Sequence, residues 1–372
     1  LTSRCFSLSL VVLPLSLVCF SPSLPLFLSP PIPSLPPQMQ TPPLPSSHLP
    51  IQTATLNVTS APGSSSVTLS APEDVLRRTL DMFEKLAALT GTDTLAFGKA
   101  HLWPIFIFSA RRPAVAHLNW SAEHVLGQHA SPPLIVVINP DEYNAYRERW
   151  PQALLCTVPL ANCGISYCRW VVHSTFSWRM PFYWSFDDNI TAFVTVTCSK
   201  PSVTSTFLAA LMDVQAIDNI QQIALVGFLR AIGVESCKVN EYVIDRATIY
   251  KILLVNSSMC EGCNYVPELC KWEDIAFMHD LIAANRHLLK VQRFAYHAVT
   301  THSGGCAPVR ASDALVHNWA SDLSAHSSSV VVKLSRWLAA HNRKAPPASL
   351  ERSRTLASNA SVGMLQALPC LP

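Results

Sequence analysis

The residues best equipped for chemistry fall in two acidic clusters, Asp187-Asp188-Asn189 and Glu273-Asp274. Neighbouring carboxylates either hold a hard divalent cation through oxygen or divide the roles of acid and base between them. The first cluster ends the run Trp178-Arg-Met-Pro-Phe-Tyr-Trp-Ser-Phe, whose aromatic side chains suit a strand buried on both faces. Open α/β sheets bind their ligands just past the carboxyl ends of such strands. A plainer reading competes, in which Asp-Asp-Asn is only the turn that ends the strand.

Together the clusters suit a metal-assisted sugar transfer. A nucleotide-sugar donor leaves as a diphosphate, and a divalent ion on one carboxylate pair would neutralise it as a Lewis acid. The other pair would take the proton of an acceptor hydroxyl. Arg111, Arg112 and Arg169 lie at expected strand-to-helix corners, where a phosphate also meets helix N-termini.

These residues need a scaffold, and the pattern supplies one. Leu102–Phe108, Pro133–Ile138 and Ala153–Val158 are short apolar runs that read as buried strands. Pro113, Asp141 and Gly164 open the helices between them. Strand and helix alternating in this order predict an α/β fold with a mostly parallel sheet flanked by helices. Further along, Val203–Val214 and Ile220–Ile232 read as helices, Ala247–Val255 as a strand, Ile275–Ile282 as a helix and Leu288–Val299 as a last strand.

The rest of the chain bounds this reading. Of its 372 residues, 49% are hydrophobic and 14% charged, enough for a large core, and the net charge of +3 gives no argument for nucleic acid. Residues 1–70 carry Arg4 as their single charge and hold much of the proline, so they are expected to be disordered, with a signal-peptide core at Leu8–Val18 as one option. Prolines at 14, 22 and 25 make that stretch a poor membrane helix, and no transmembrane span is expected. Ser70-Ala-Pro-Glu73 reads as a capping box opening an amphipathic helix within 71–94. A catalytic domain over 95–306 and a Ser/Ala-rich, partly helical tail over 307–372 complete the plan. The 12 cysteines show one close pair, Cys260 and Cys263, with no second pair for a zinc site, so buried thiols are expected.

The stretch from Ser109 to Phe193 resembles the TET-associated glycosyltransferase family. That family is linked to the kinetoplastid glucosyltransferase that makes base J, and to the C-terminal domain of the estrogen-regulated growth-regulation protein. The resemblance runs through Ser109-Ala-Arg-Arg-Pro113, Leu118-Asn119, Ile135-Val-Val-Ile138, Glu142-Tyr143 with Tyr146, and Pro159. It continues in Gly164-Ile165 with Arg169-Trp170, Phe182 through Asn189 and Phe193, and a second block holds Tyr265-Val-Pro, Trp272-Glu-Asp274 and Phe277.

The resemblance implies a GT-A fold, a Rossmann-like sheet that binds a nucleotide-sugar, here UDP-linked, and manganese or magnesium. Asp187 and Asp188 would be the metal and diphosphate motif, with His302 as a late metal ligand. Glu273 and Asp274 would supply the acceptor-side base. Arg111 and Glu142 would touch the nucleotide, with Arg112, Gly164 and Arg169 completing the donor site. The implied acceptor is a hydroxyl, in the family a hydroxymethylated pyrimidine of DNA.

Three alternatives stay open, one of them a purely structural α/β domain. A degenerate GT-A domain would bind a nucleotide or partner without turnover, and a glycosidase would use the same carboxylates without metal. Location stays open too. A sequon at Asn189-Ile-Thr191 on the proposed site and many unpaired cysteines favour a nuclear or cytoplasmic setting, whereas the apolar amino terminus points to the secretory pathway.

Overall fold

The computed structural model describes residues 50–58, 65–116, 134–196, 203–231, 242–244, 249–267 and 273–299. The chain divides between His48 and Leu49, and all these residues belong to the second unit. His302, Trp272, Leu118-Asn119 and the tail over 307–372 lie outside the described residues.

The first part of the chain gives β1 (Ile51–Asn57), β2 (Ser66–Pro72), α1 (Glu73–Ala87), α2 (Gly91–Ala100), β3 (Ile105–Phe108), β4 (Leu134–Ile138), α3 (Tyr143–Arg149), β5 (Leu154–Thr157), α4 (Ile165–Phe176) and β6 (Phe182–Asp187). Then come β7 (Ile190–Thr195), β8 (Val203–Ser205), α5 (Phe207–Gln215), β9 (Ile223–Arg230), β10 (Tyr242–Ile244), β11 (Ile252–Asn256), α6 (Glu273–Ala283) and β12 (His287–Ala298). The described strands form one sheet in the order β1-β2-β5-β4-β3-β6-β11-β9-β12-β7-β8, with β10 against β12.

Its heart is the expected Rossmann-like block. β5, β4, β3 and β6 run parallel, with Ile105 opposite Leu134 on one side and Trp184 on the other. Both faces are covered, so β3 reads Ile-Phe-Ile-Phe with every residue buried. Phe176 of α4 packs on Phe106 with ring centres 4.8 Å apart, which seats that helix on the sheet. Beyond the block, β11 pairs antiparallel with both β6 and β9, while β9 and β12 are again parallel, so the sheet as a whole is mixed.

Three local expectations change. Residues 51–57 and 66–72 form a β hairpin, Ile51 opposite Pro72, inside the segment expected to be disordered. β2 continues into the sheet through β5, so Ser70 is a strand residue whose Oγ meets the Tyr143 hydroxyl at 2.8 Å. It therefore caps no helix: α1 begins after Pro72 without a side-chain cap. Residues 223–230, expected to be helical, are strand β9. Its run Ile-Ala-Leu-Val-Gly-Phe-Leu is almost wholly buried, and periodicity alone does not separate a buried strand from a buried helix. Gly227 shows the density there, since a Cβ would lie 2.6 Å from that of Ile249.

Gln215, at the end of α5, ties the layers together. Its Oε1 accepts from Trp103 N at 3.1 Å and Trp184 Nε1 at 2.9 Å, and its Nε2 donates to the carbonyls of Gly98 and His101 at 2.8 Å. A buried amide with its donors and acceptor all engaged fixes α2, α5 and β6 in one register.

Candidate functional site

Each strand of the parallel block ends on the same edge, and the residues that follow β3, β4, β5 and β6 meet there. They enclose an open cleft of about 660 Å³, counting the space that opens to solvent. Ser109, Arg111, Arg112, Asn139, Cys163, Gly164, Asp187, Asp188, Asn189 and Lys251 are among its walls. Carboxylates, cations and a helix start thus converge at the edge where such sheets take ligands.

Asp188 is buried beneath the cleft. Its Oδ2 accepts from Ser109 Oγ at 2.6 Å and its Oδ1 from Arg112 at 2.9 Å. Ser109 also meets the Tyr146 hydroxyl at 2.5 Å, and that hydroxyl accepts from the Arg112 backbone at 3.3 Å. Burial pushes the Asp188 carboxyl above its usual range, while Arg112 and Ser109 pull it partly back.

Asp187, half-buried, is gripped from two sides. Oδ1 accepts from Arg169 at 2.8 Å, and Oδ2 accepts from Lys251 Nζ at 2.9 Å. Arg169 extends its other terminal nitrogen to Glu273 Oε1, again at 2.8 Å. The guanidinium also lies over the Phe108 ring, 5.5 Å from its centre. Burial opposes the charge on Arg169, but Glu273 and Asp187 outweigh it and hold the guanidinium well above its ordinary range. Burial also pushes Glu273 upward, and Arg169 only partly reverses this. These tendencies conflict. The 2.8 Å contact favours the charged pair, because a protonated Glu273 would deprive the buried guanidinium of a countercharge.

Arg111 stands at the mouth. Its φ of 58° is left-handed, unusual for a side chain of this size. Glu142 holds that conformation by accepting the Arg111 N–H at 2.7 Å, leaving the guanidinium exposed beside the neutral Asn162 Oδ1 at 3.3 Å. Gly164, also in the lining, precedes α4, and among the described residues no side chain caps that helix start. Its first N–H groups are therefore available to an anion. Asn139 accepts from Cys163 N at 3.2 Å and steadies the approach to it.

The expected residues divide accordingly. Arg111, Arg112, Gly164, Asp187 and Asp188 share the cleft. Arg169, expected to meet the nucleotide, is buried instead, its guanidinium spent on two carboxylates. It lies one turn into α4, over the Phe108 ring, and does not line the cleft. Glu142 acts on the Arg111 backbone rather than lining the wall. Glu273 is buried and joined to the site through Arg169, whereas its neighbour Asp274 is half-buried.

Lys251, absent from the sequence reading, is the main addition. It precedes β11, whose antiparallel pairing with β6 sets it beside Asp187, and no local signal marks that pairing. Ser109 and Tyr146 were visible only as parts of a motif.

A divalent ion fits this arrangement poorly. All four carboxylate oxygens of Asp187 and Asp188 already accept from Arg169, Lys251, Arg112 or Ser109. An ion about 2.1 Å from an oxygen of Asp187 would lie no more than about 5 Å from a cation bound to that oxygen, and would have to displace it or bear its repulsion. Among the described residues no group of three His, Cys, Asp or Glu side chains is arranged to hold a metal. No helix among them is long and apolar enough to cross a membrane.

Comparison with known proteins supplies the remaining fact. No curated protein matches the sequence. Among solved structures, a mycobacterial protein aligns with a TM-score of 0.36 at 10% identity, over 57% of this chain and 72% of that one. A family model described as TET-associated glycosyltransferase matches residues 103–305, more than half of the chain and the whole of the cleft. The chain therefore belongs to the TET-associated glycosyltransferase family.

Proposed function

We propose that this glycosyltransferase takes a nucleoside diphosphate sugar, UDP-linked, into the cleft and moves the sugar to an acceptor hydroxyl. The observation that carries the reading is the convergence of Arg111, Arg112, Lys251 and the uncapped start of α4 on one cleft. That is the chemistry a diphosphate needs, with fixed positive charge and backbone N–H groups where negative charge builds up. In the reaction the bond from the sugar C1 to the diphosphate oxygen breaks, and its electron pair leaves with the nucleotide. An acceptor oxygen bonds to C1, and its proton passes to a carboxylate. Neither member of the acidic pair lines the cleft; Asp274, the less buried, is assigned this role, and Glu273 holds Arg169 beneath the site. For the acceptor, family membership supports the hydroxymethyl group of a modified pyrimidine in DNA. A base would have to leave its stack to reach the cleft.

One observation favours binding without turnover, the second reading: Glu273 is already committed to Arg169. A single assay separates the two. Radiolabelled UDP-glucose is incubated with the protein and an oligonucleotide carrying hydroxymethylcytosine, and labelled sugar is followed in DNA and in water. Transfer or hydrolysis that falls at least about a hundredfold in Asp274→Asn supports catalysis, the fall being typical for a lost general base. Donor binding with no release of sugar supports the second reading. No donor binding refutes both.

A further inference from the structure

We infer that the diphosphate of the donor is neutralised by the protein's own cations, with Lys251 as the central one, and needs no divalent metal. The inference rests on the nucleotide-sugar reading above and concerns how the same cleft holds its anion. At the centre of the site the charges already balance. Arg112, Arg169 and Lys251 face Asp188, Asp187 and Glu273 at 2.8–2.9 Å, three cations to three carboxylates.

Lys251 differs from the two arginines in what it retains. A lysine ammonium has three N–H groups, of which one goes to Asp187 Oδ2 at 2.9 Å and one to Asn189 Oδ1 at 3.1 Å. Among the described residues the third has no partner, and Lys251 is a wall of the cleft. The backbone supports the placement at a cost, because Lys251 has a φ of 71°, a conformation that side chains rarely adopt. Its carbonyl accepts Asp187 N–H at 2.9 Å, so backbone and side chain are both locked to the residue at the end of β6. Arg111, with its guanidinium exposed at the mouth, supplies a second cation for the diphosphate. Lys251, shared between Asp187 and the ligand, Arg111 and the start of α4 then supply the donors that hold the diphosphate, and no ion is needed to bridge it to the carboxylates.

The full chain is titrated with UDP by calorimetry, once in EDTA and once with manganese. The account expects affinities equal within about threefold in the two buffers. It expects Lys251→Gln to weaken UDP by about ten- to a hundredfold, the usual range for a lost charge-assisted hydrogen bond, and Lys251→Arg to restore most of that. Should Lys251→Gln fail to fold, Arg111→Gln on the exposed rim gives the same reading. UDP binding that requires manganese overturns the inference and leaves the nucleotide-sugar reading intact. Metal-independent binding unchanged in Lys251→Gln, or in Arg111→Gln where the first variant does not fold, also overturns it. Absence of UDP binding in either buffer refutes inference and reading together.

Discussion

Asp187 and Glu273 lie on either side of one guanidinium, each 2.8 Å from a terminal nitrogen of Arg169. One ends β6 and the other begins α6, so a single buried cation joins the two acidic clusters across the sheet edge. A planar fork serves both because it offers donors in two directions at a fixed angle.

Removing that fork should unfold the site rather than merely slow it. Arg169→Met leaves Asp187 with Lys251 alone and strands Glu273 in the interior. The expected loss is about 3–5 kcal/mol in urea unfolding, the range for breaking a buried pair. Arg169→Lys should recover little, since one ammonium does not reach both carboxylates with the same geometry.

Acid should destabilise the protein through a residue outside the site. His173 is fully buried on α4, its Nδ1 2.9 Å from the Tyr183 hydroxyl and its ring among Tyr265 and Phe277. Burial lowers its pKa from 6.5 to about 4. The unfolded chain therefore takes up a proton near pH 6.5 that the folded one refuses. Stability is fully present above that pH and drains as pH falls towards 4, by about 3 kcal/mol in all. Unfolding curves measured between pH 4 and 8 should show this slope in the parent, and His173→Gln should flatten it.

Arg111 offers a separation of binding from stability. Its left-handed backbone is strained for arginine and natural for glycine, while glycine also frees the unfolded chain. Arg111→Gly should thus change the unfolding free energy by less than about 1 kcal/mol. The same variant should weaken UDP at least about tenfold by calorimetry, because a cation at the mouth is gone.

Gln215 predicts the reverse, a pure stability effect. Gln215→Leu leaves the buried Trp184 Nε1 and two backbone carbonyls without their partner. Thermal and urea unfolding should show a loss of roughly 2–4 kcal/mol from these orphaned groups. Donor affinity at temperatures where the variant is folded should stay near the parent value, since Gln215 lies away from the cleft.

Which parts were legible in the sequence follows from what each depends on. β3 to β6 were readable because buried parallel strands are apolar runs punctuated by Pro, Gly and Asp, all local signals. Asp187 and Asp188 were readable for the same reason, as the polar end of such a run. Residues 51–57 and 66–70 were misread because their Ser and Thr content resembles a linker, whereas pairing of β2 with β1 and β5 recruits them to the sheet. The role of Arg169 was hidden because its burial depends on α6, more than a hundred residues later. Lys251 was hidden because only antiparallel pairing with β6 brings it to Asp187. Local chemistry named the carboxylates, and long-range pairing chose their partners.

The most direct test is a crystal structure of the protein grown with saturating UDP. The account predicts difference density for the diphosphate between Arg111, Lys251 and the first turn of α4, above the Asp187 and Asp188 carboxylates. UDP bound elsewhere on the surface, with this cleft empty, would contradict it.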